Sequence, residues 1–361
     1  MRVLICGGGV IGASLAYFLT KRGVRPIIFE QAALACAASG KSGGFLALDW
    51  CDGTPLQQLA RRSFALHDCL PQEIGGEWGY RRLETYSGWV EGHTTGHPHQ
   101  GSGRQWLSDH VTLDRRLGTT NTTAQVHPGR FTTTIMRAAE AHGAELHDGE
   151  VSGLALNKNN TRVEGVEVDG DVIPGEAVVI AMGPWSSLAA RWLPLPTVYG
   201  LKGHSLLFET GTAIPGEALF LEYQDETGQS CSPEVFPRAD GTTYVCAISS
   251  DSPLPLDPAA VQPDEGALER LEAICAHLSP VLANSPVLAR QACFRPVTRD
   301  GLPLIGAVSG VQGAYVATGH SVWGILNAPA TGEAMAELMI DGQARTVNLS
   351  GFDPGRLRPA M

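Results

Sequence analysis

Residues 2–30 read RVLICGGGVIGASLAYFLTKRGVRPIIFE. RVLIC (2–6) has the unbroken apolar run of a short strand buried on both faces. Residues 10–22 carry helical periodicity, and Gly23 stands where a C′ glycine ends a helix. Residues 25–30 form a second strand, so the segment predicts one βαβ unit and a parallel sheet. Its turn, Gly7 to Gly12, fits G-x-G-x-x-G. Gly7 permits the tight turn, Gly9 lets backbone N–H groups approach a pyrophosphate, and Gly12 allows close helix–strand packing. Glu30 closes the second strand, where a carboxylate accepts ribose hydroxyls and repels a 2′-phosphate. Gly7, Gly9, Val10, Ile11, Gly12 and Glu30 are therefore the expected dinucleotide contacts. The fingerprint alone leaves NAD and FAD equally open.

The rest of the composition fits that start. The chain has 361 residues, enough for about two domains, with 26 basic and 37 acidic residues and a net charge of −11. Charged residues make up 17%, apolar residues 43%, and there are 43 glycines. This suits a well-buried α/β protein with tight turns and argues against disorder or a coiled coil. The acidity argues against nucleic acid as a partner, because such binders need Lys and Arg to release counterions. No apolar run approaches the ~20 residues of a membrane helix. With no leader-like segment before the first strand, a cytoplasmic location is expected, and the Asn121, Asn159 and Asn348 sequons are chance matches. The eight cysteines are dispersed without a CxxC pair, so they are expected reduced and no metal is expected. His93, His97 and His99 lack ligand spacing and read as loop histidines.

Further along, residues 84–123 read as short strands and loops, and 129–143 as a helix. Residues 145–182 read as strands ending in AVVIAMG, and 198–249 as an antiparallel sheet. Residues 264–283 read as an amphipathic helix, 313–318 as a strand and 327–342 as a helix. Several glycine-rich stretches interrupt these elements. CAASGKSGGFLAL (36–48) supplies Ser39, Gly40, Ser42, Gly43 and Gly44; VVIAMGPWS (178–186) supplies Gly183 and Trp185. GHSVWGILNAPATG (319–332) supplies Gly319, His320, Gly324 and Ile325. Small hydroxyls and bare backbone suit an extended cofactor, and a helix N-terminus near Gly324 suits a negative charge on a reduced isoalloxazine. Val151 joins the expected cofactor set.

In this order the stretches ICGGGVIGASLAYFL, SGKSGG, IAMGPW, RPVTRDGLPLIG and GHSVWGILNAPATG resemble the D-amino-acid oxidase superfamily, of the glycine and sarcosine oxidase type. The wording of CAASGKSGGFLALDW, GTTNTTAQVHP and QACFRPVTRDG is most similar to a subgroup of uncharacterised yeast and plant oxidoreductases, whose yeast members are linked to endosomal retrieval. The resemblance covers the whole chain. It implies a discontinuous Rossmann-like FAD-binding domain (1–75, 125–195 and 290–361) and a β-rich, antiparallel substrate domain (76–124 and 196–289). It also implies oxidation of an amine or amino acid by hydride transfer to flavin N5, giving an imine that water hydrolyses, with O2 as the expected acceptor.

Within that resemblance, Arg295 matches the arginine that holds a substrate carboxylate, a task suited to a planar guanidinium. The second glycine oxidase arginine falls at Val322, and the sarcosine oxidase lysine at Trp323. No lysine follows Lys202, so His320 is the expected local cation. Glu234, where glycine oxidase carries a tyrosine, either favours a cationic substrate or pairs with Arg238. Cys293 precedes Asp300 by seven residues, the sarcosine oxidase spacing for a cysteinyl flavin. Non-covalent FAD is expected, with a link through Cys293 as the alternative. Two other functions stay open: an NAD-dependent dehydrogenase, and a flavin-holding partner protein in membrane traffic with weak catalysis.

Overall fold

The computed structural model describes residues 1–91, 102–225 and 228–359. The opening stretch folds as expected: strand Val3–Cys6, helix Val10–Thr20, strand Ile27–Glu30. These strands pair in parallel, with Ile5 opposite Ile28 on one side and Val179 on the other. The full sheet has six strands in the order Leu304–Ala307, Ala314–Thr318, Ala177–Ile180, Val3–Cys6, Ile27–Glu30, Glu145–Asp148. Only the Leu304–Ala307 edge runs antiparallel. The period-2 alternation of a strand assigns its side chains to two cores. Val3, Ile5, Ile28 and Val179 pack under helices Val10–Thr20, Gln57–Ile74, Pro128–Ala141 and Gly324–Asp341. Leu4, Cys6, Phe29 and Val178 pack on the other face against a three-stranded meander of residues 151–174.

Two helices meet backbone to backbone. A Cβ on Gly332 would lie 2.6 Å from the Ser14 carbonyl carbon, so only glycine fits that crossing. The same C-terminal helix contains Pro329, which has no N–H for the Ile325 carbonyl four residues earlier. Helix Gln57–Ile74 repairs the gap. His67 Nε2 lies 2.9 Å from Ile325 O and 3.2 Å from Leu326 O, and Ser63 Oγ accepts the Ala330 N–H at 3.1 Å. Both ring partners are carbonyls, so the bound tautomer is Nε2–H. Burial lowers the imidazole pKa to about 4, so the ring is neutral at pH 7. His67→Ala is expected to cost about 1–3 kcal/mol through the unsatisfied carbonyl, read as a lower Tm. His67→Gln, which keeps an N–H donor, is expected to lose less. Helix Gln57–Ile74 is absent from the sequence expectations, although Leu59, Phe64 and Leu70 keep helical spacing, because polar residues and Pro71 dilute the stripe.

The second sheet has eight strands. Val287–Thr298, Val198–Glu209, Thr242–Ser250, Glu234–Pro237, Glu217–Gln224, Glu84–Val90 and Val111–Gly118 lie in that order, with Ser230–Cys231 beside Glu217–Gln224. It is antiparallel except where Glu217–Gln224 meets Glu84–Val90. Strand Val287–Thr298 belongs wholly to this sheet, paired along Val198–Glu209, so a division at residue 290 cuts through a continuous ladder. The expected helix 264–283 is two helices, Ala267–Leu278 and Pro280–Asn284. Ser279 separates them in extended geometry and caps the second, accepting from Leu282 N at 3.2 Å. These helices pack on one face of the sheet. The other face carries Tyr244, Phe236 and Phe220, which join Phe45 and Trp50 from the region after the first βαβ unit.

Candidate cofactor and substrate site

A cavity of about 630 Å³ runs from the first glycine turn to the aromatic face of the eight-stranded sheet. At the turn, Gly7 has φ +113°, and a Cβ there would stand 2.5 Å from Ala181 O. Gly9, Val10 and Ile11 line the cavity where the helix begins. Two side chains converge on this N-terminus, which carries the positive end of the helix dipole. Glu30 Oε2 accepts the Gly8 N–H at 2.7 Å, and Ser39 Oγ accepts the Val10 N–H at 2.9 Å. Glu30 Oε1 also accepts the Ala32 N–H at 3.0 Å. Both side chains line the cavity, as do Ser42, Gly43, Val151, Gly183, Trp185, His320, Gly324 and Ile325. Trp185 is held by its indole N–H, which donates to Pro255 O at 2.7 Å.

Four expected contacts do not line the cavity: Gly12, Gly40, Gly44 and Gly319. A Cβ on Gly12 would lie 2.1 Å from Gly7 O, and on Gly40 2.2 Å from Ala35 O. Gly44 and Gly319 each hold φ +79° and would strike Val126 O and Thr298 Cγ2. These glycines let the lining segments close on one another, so their part in the site is steric.

FAD is the group that the family resemblance implies, and the lining fits it. Ser42 Oγ and His320 Nδ1 are buried, belong to lining residues and have no hydrogen-bond partner among the described residues. Buried polar atoms of this kind are costly unless a ligand completes them. An elongated cavity with a glycine turn and a helix N-terminus at one end matches an extended anionic dinucleotide.

At the other end, strand alternation brings Cys293 and Arg295 to the cavity from one strand, and Glu234 and Cys246 from two others. Arg295 Nη2 donates to Ser249 Oγ at 2.6 Å. Cys246 Sγ lies 3.4 Å from Glu234 Oε2 and donates to it. Burial raises the Glu234 pKa; the Cys246 contact and the Arg295 charge oppose the rise. Two expectations are corrected here. Glu234 does not pair with Arg238, which lies four residues along an extended strand, about 13 Å away, and instead donates to Ser42 O at 3.0 Å. His320 is not a cation: it is 4% exposed, and burial lowers its pKa to about 3. Its Nε2 meets Thr331 Oγ1 at 3.0 Å.

Val322 is 56% exposed and lines the cavity. Trp323 stands against Trp50, with ring centroids 6.3 Å apart. Cys293 lines the cavity and burial raises its pKa, with Arg295 and Lys41 opposing. Lys41 escaped the sequence reading: it ends the short helix Ala38–Lys41, and its Nζ donates to Ala292 O at 3.4 Å. Lys41 does not line the cavity, whereas Ser249, Cys246 and Tyr244 do, because strand pairing places them beside Arg295 and Glu234. All eight cysteines are unpaired. Among the described residues no group of three metal-ligating side chains occurs, and no helix is long and apolar enough to cross a membrane. His93, His97 and His99 lie outside the described residues.

The sequence model of the FAD dependent oxidoreductase family DAO matches residues 2–338. A Schizosaccharomyces pombe protein named only as an oxidoreductase is 30% identical, over 98% of this chain and 97% of its own. The glycine oxidase of Geobacillus kaustophilus is 27% identical, over 93% of this chain and 92% of its own. A crystal structure of glycine oxidase from Geobacillus kaustophilus superimposes with a TM-score of 0.81 at 26% identity, covering 99% of each chain. The L-proline dehydrogenase of P. horikoshii shares the fold, with a TM-score of 0.78 at 19% identity over 98% of this chain and 97% of its own.

Proposed function

The chain belongs to the FAD-dependent oxidoreductase family DAO, and from that premise we propose that it oxidises the C–N bond of a small amine or amino acid bearing a carboxylate. Membership in a family of FAD-dependent enzymes sets the nicotinamide alternative aside. The observation that carries the proposal is the continuity of one cavity from the glycine turn at Gly7 and Gly9 to Arg295. FAD, when bound, supplies the two-electron acceptor for a C–H bond beside nitrogen.

The chain's own residues do the positioning. Gly9, Val10 and Ile11 offer the helix N-terminus to the dinucleotide phosphates, and Glu30 the carboxylate for its ribose. Ser42 and His320, whose buried Oγ and Nδ1 lack partners among the described residues, would help hold the cofactor. Arg295, steadied by Ser249, takes the substrate carboxylate in a fork of two N–H donors. His320, neutral by burial, supplies a hydrogen bond without a charge. Tyr244 and Trp185, which line the cavity, help exclude water, which strengthens the Arg295 contact. FAD is held without a covalent bond, and O2 is the acceptor.

The purified protein is expected to be yellow and to release its colour into the supernatant on acid precipitation; colour retained in the pellet places a bond at Cys293. Mixing with a panel of amines and amino acids without oxygen is expected to bleach the 450 nm band for carboxylated members, and air to restore it with peroxide. Bleaching by none of the panel contradicts the enzymatic proposal and favours the flavin-holding partner reading. Bleaching without peroxide overturns only the choice of O2.

A further inference from the structure

Glu234 is a carboxylate enclosed in protein, and the proposed reaction gives it no task. It lines the cavity and is half-buried. Its one recorded polar partner among the described residues is the Cys246 thiol, at Oε2, which leaves Oε1 without one. Register places Phe220 and Cys246 directly opposite it on the two flanking strands. Phe236 follows two residues on, on the same face, stacked on Tyr244 with centroids 6.1 Å apart. Phe220 and Phe236 are themselves in contact at 5.4 Å. Of these rings, Tyr244 lines the cavity with Glu234.

Burial of this carboxylate is opposed by the Cys246 contact and the Arg295 charge without being outweighed, and an adjoining cation offsets it further. The Tyr244 ring, which lines the same cavity, adds attraction for the same charge. A second carboxylate arriving there would be repelled, and a neutral alkyl group would leave Oε1 desolvated. Arg295 lines the same cavity, near enough for its charge to act on Glu234, and provides the seat for an anion. The nitrogen being oxidised must give up its positive charge to react, so a carboxylate that held it as an ammonium would oppose the chemistry. A second, non-reacting nitrogen keeps its charge throughout.

We propose that Glu234 seats a second, positively charged nitrogen of the substrate, so that this chain selects basic amino acids and related cationic amines over neutral ones. The inference rests on the amine-oxidation reading for its substrate, yet the seat itself is testable by binding alone. The probes are 4-trimethylammoniobutanoate and its uncharged isostere 5,5-dimethylhexanoate, which share shape and carboxylate. A third probe, butyltrimethylammonium, has no carboxylate. Binding to the flavin-loaded protein is followed by the change in the flavin spectrum, with no turnover involved.

The wild type is expected to bind 4-trimethylammoniobutanoate about tenfold or more tighter than its isostere, and Glu234→Gln to bring the ratio near one. Binding of 5,5-dimethylhexanoate is expected to hold or improve in the variant. An equal ratio in wild type and variant overturns the proposal. If neither carboxylate binds while butyltrimethylammonium does and loses affinity in Glu234→Gln, the Arg295 reading fails and the Glu234 seat stands. If Glu234→Gln does not retain flavin, the neutral Glu234→Met carries the test: a ratio near one supports the seat, and a ratio equal to that of the wild type overturns it.

Discussion

Arg295→Leu is expected to keep the fold and the flavin yet lose about 30- to several-thousand-fold in kcat/KM toward carboxylated amines, the effect of ~2–5 kcal/mol. A carboxylate brought beside the cofactor must leave water, and without a guanidinium it would be buried unpaired. Val322 lines the cavity at the position where the resemblance implies a second carboxylate anchor, so no arginine at that position takes over. The fold survives because Arg295 packs at the cavity edge, where its recorded hydrogen bond is to Ser249. The check is steady-state kinetics on paired substrates, one with and one without the carboxylate, alongside Tm and the 450 nm absorbance. A fall of equal size on both members of the pair would show that Arg295 shapes the pocket rather than holding the anion.

The glycine turn is expected to separate folding from cofactor binding. Gly12→Val places a Cβ about where Gly7 O now lies, at 2.1 Å, with Ile5 Cγ2 at 3.3 Å. Neither the turn nor the buried strand can yield, so the cost exceeds the ordinary ~1–3 kcal/mol of overpacking, and insoluble protein is expected. Gly9→Val differs. A Cβ there meets only Ser39 Oγ, at 3.1 Å, and the backbone is in an ordinary extended conformation. Folded protein with little or no flavin is expected, because the side chain enters the cavity at the helix N-terminus. Solubility, Tm and the ratio of flavin to protein absorbance decide both. Full flavin occupancy in soluble Gly9→Val would remove the turn from the cofactor site.

Local sequence determined the first βαβ unit, because every level of signal agreed there. The four residues VLIC are buried on both faces, glycine alone tolerates the geometry at Gly7 and Gly12, and a carboxylate closes the second strand. It also marked out the glycine-rich segments that come to line the cavity, since bare backbone beside small hydroxyls is visible without a fold. What lay beyond it depended on long-range partners. Helix Gln57–Ile74 is stabilised by the C-terminal helix, where His67 and Ser63 meet groups freed by Pro329, more than 250 positions away. The charge of His320 is not legible in the sequence, because a histidine's burial is set by tertiary packing, and that burial makes it neutral. Glu234 was visible as a residue, but its partner was not. Strand pairing put Cys246 opposite it and left Arg238 on Ser42, and no spacing along the chain distinguishes those outcomes. Local sequence thus determined the nucleotide end, where contacts are near neighbours. Only the tertiary structure decided the substrate end, where each wall comes from a different strand and burial sets the charge.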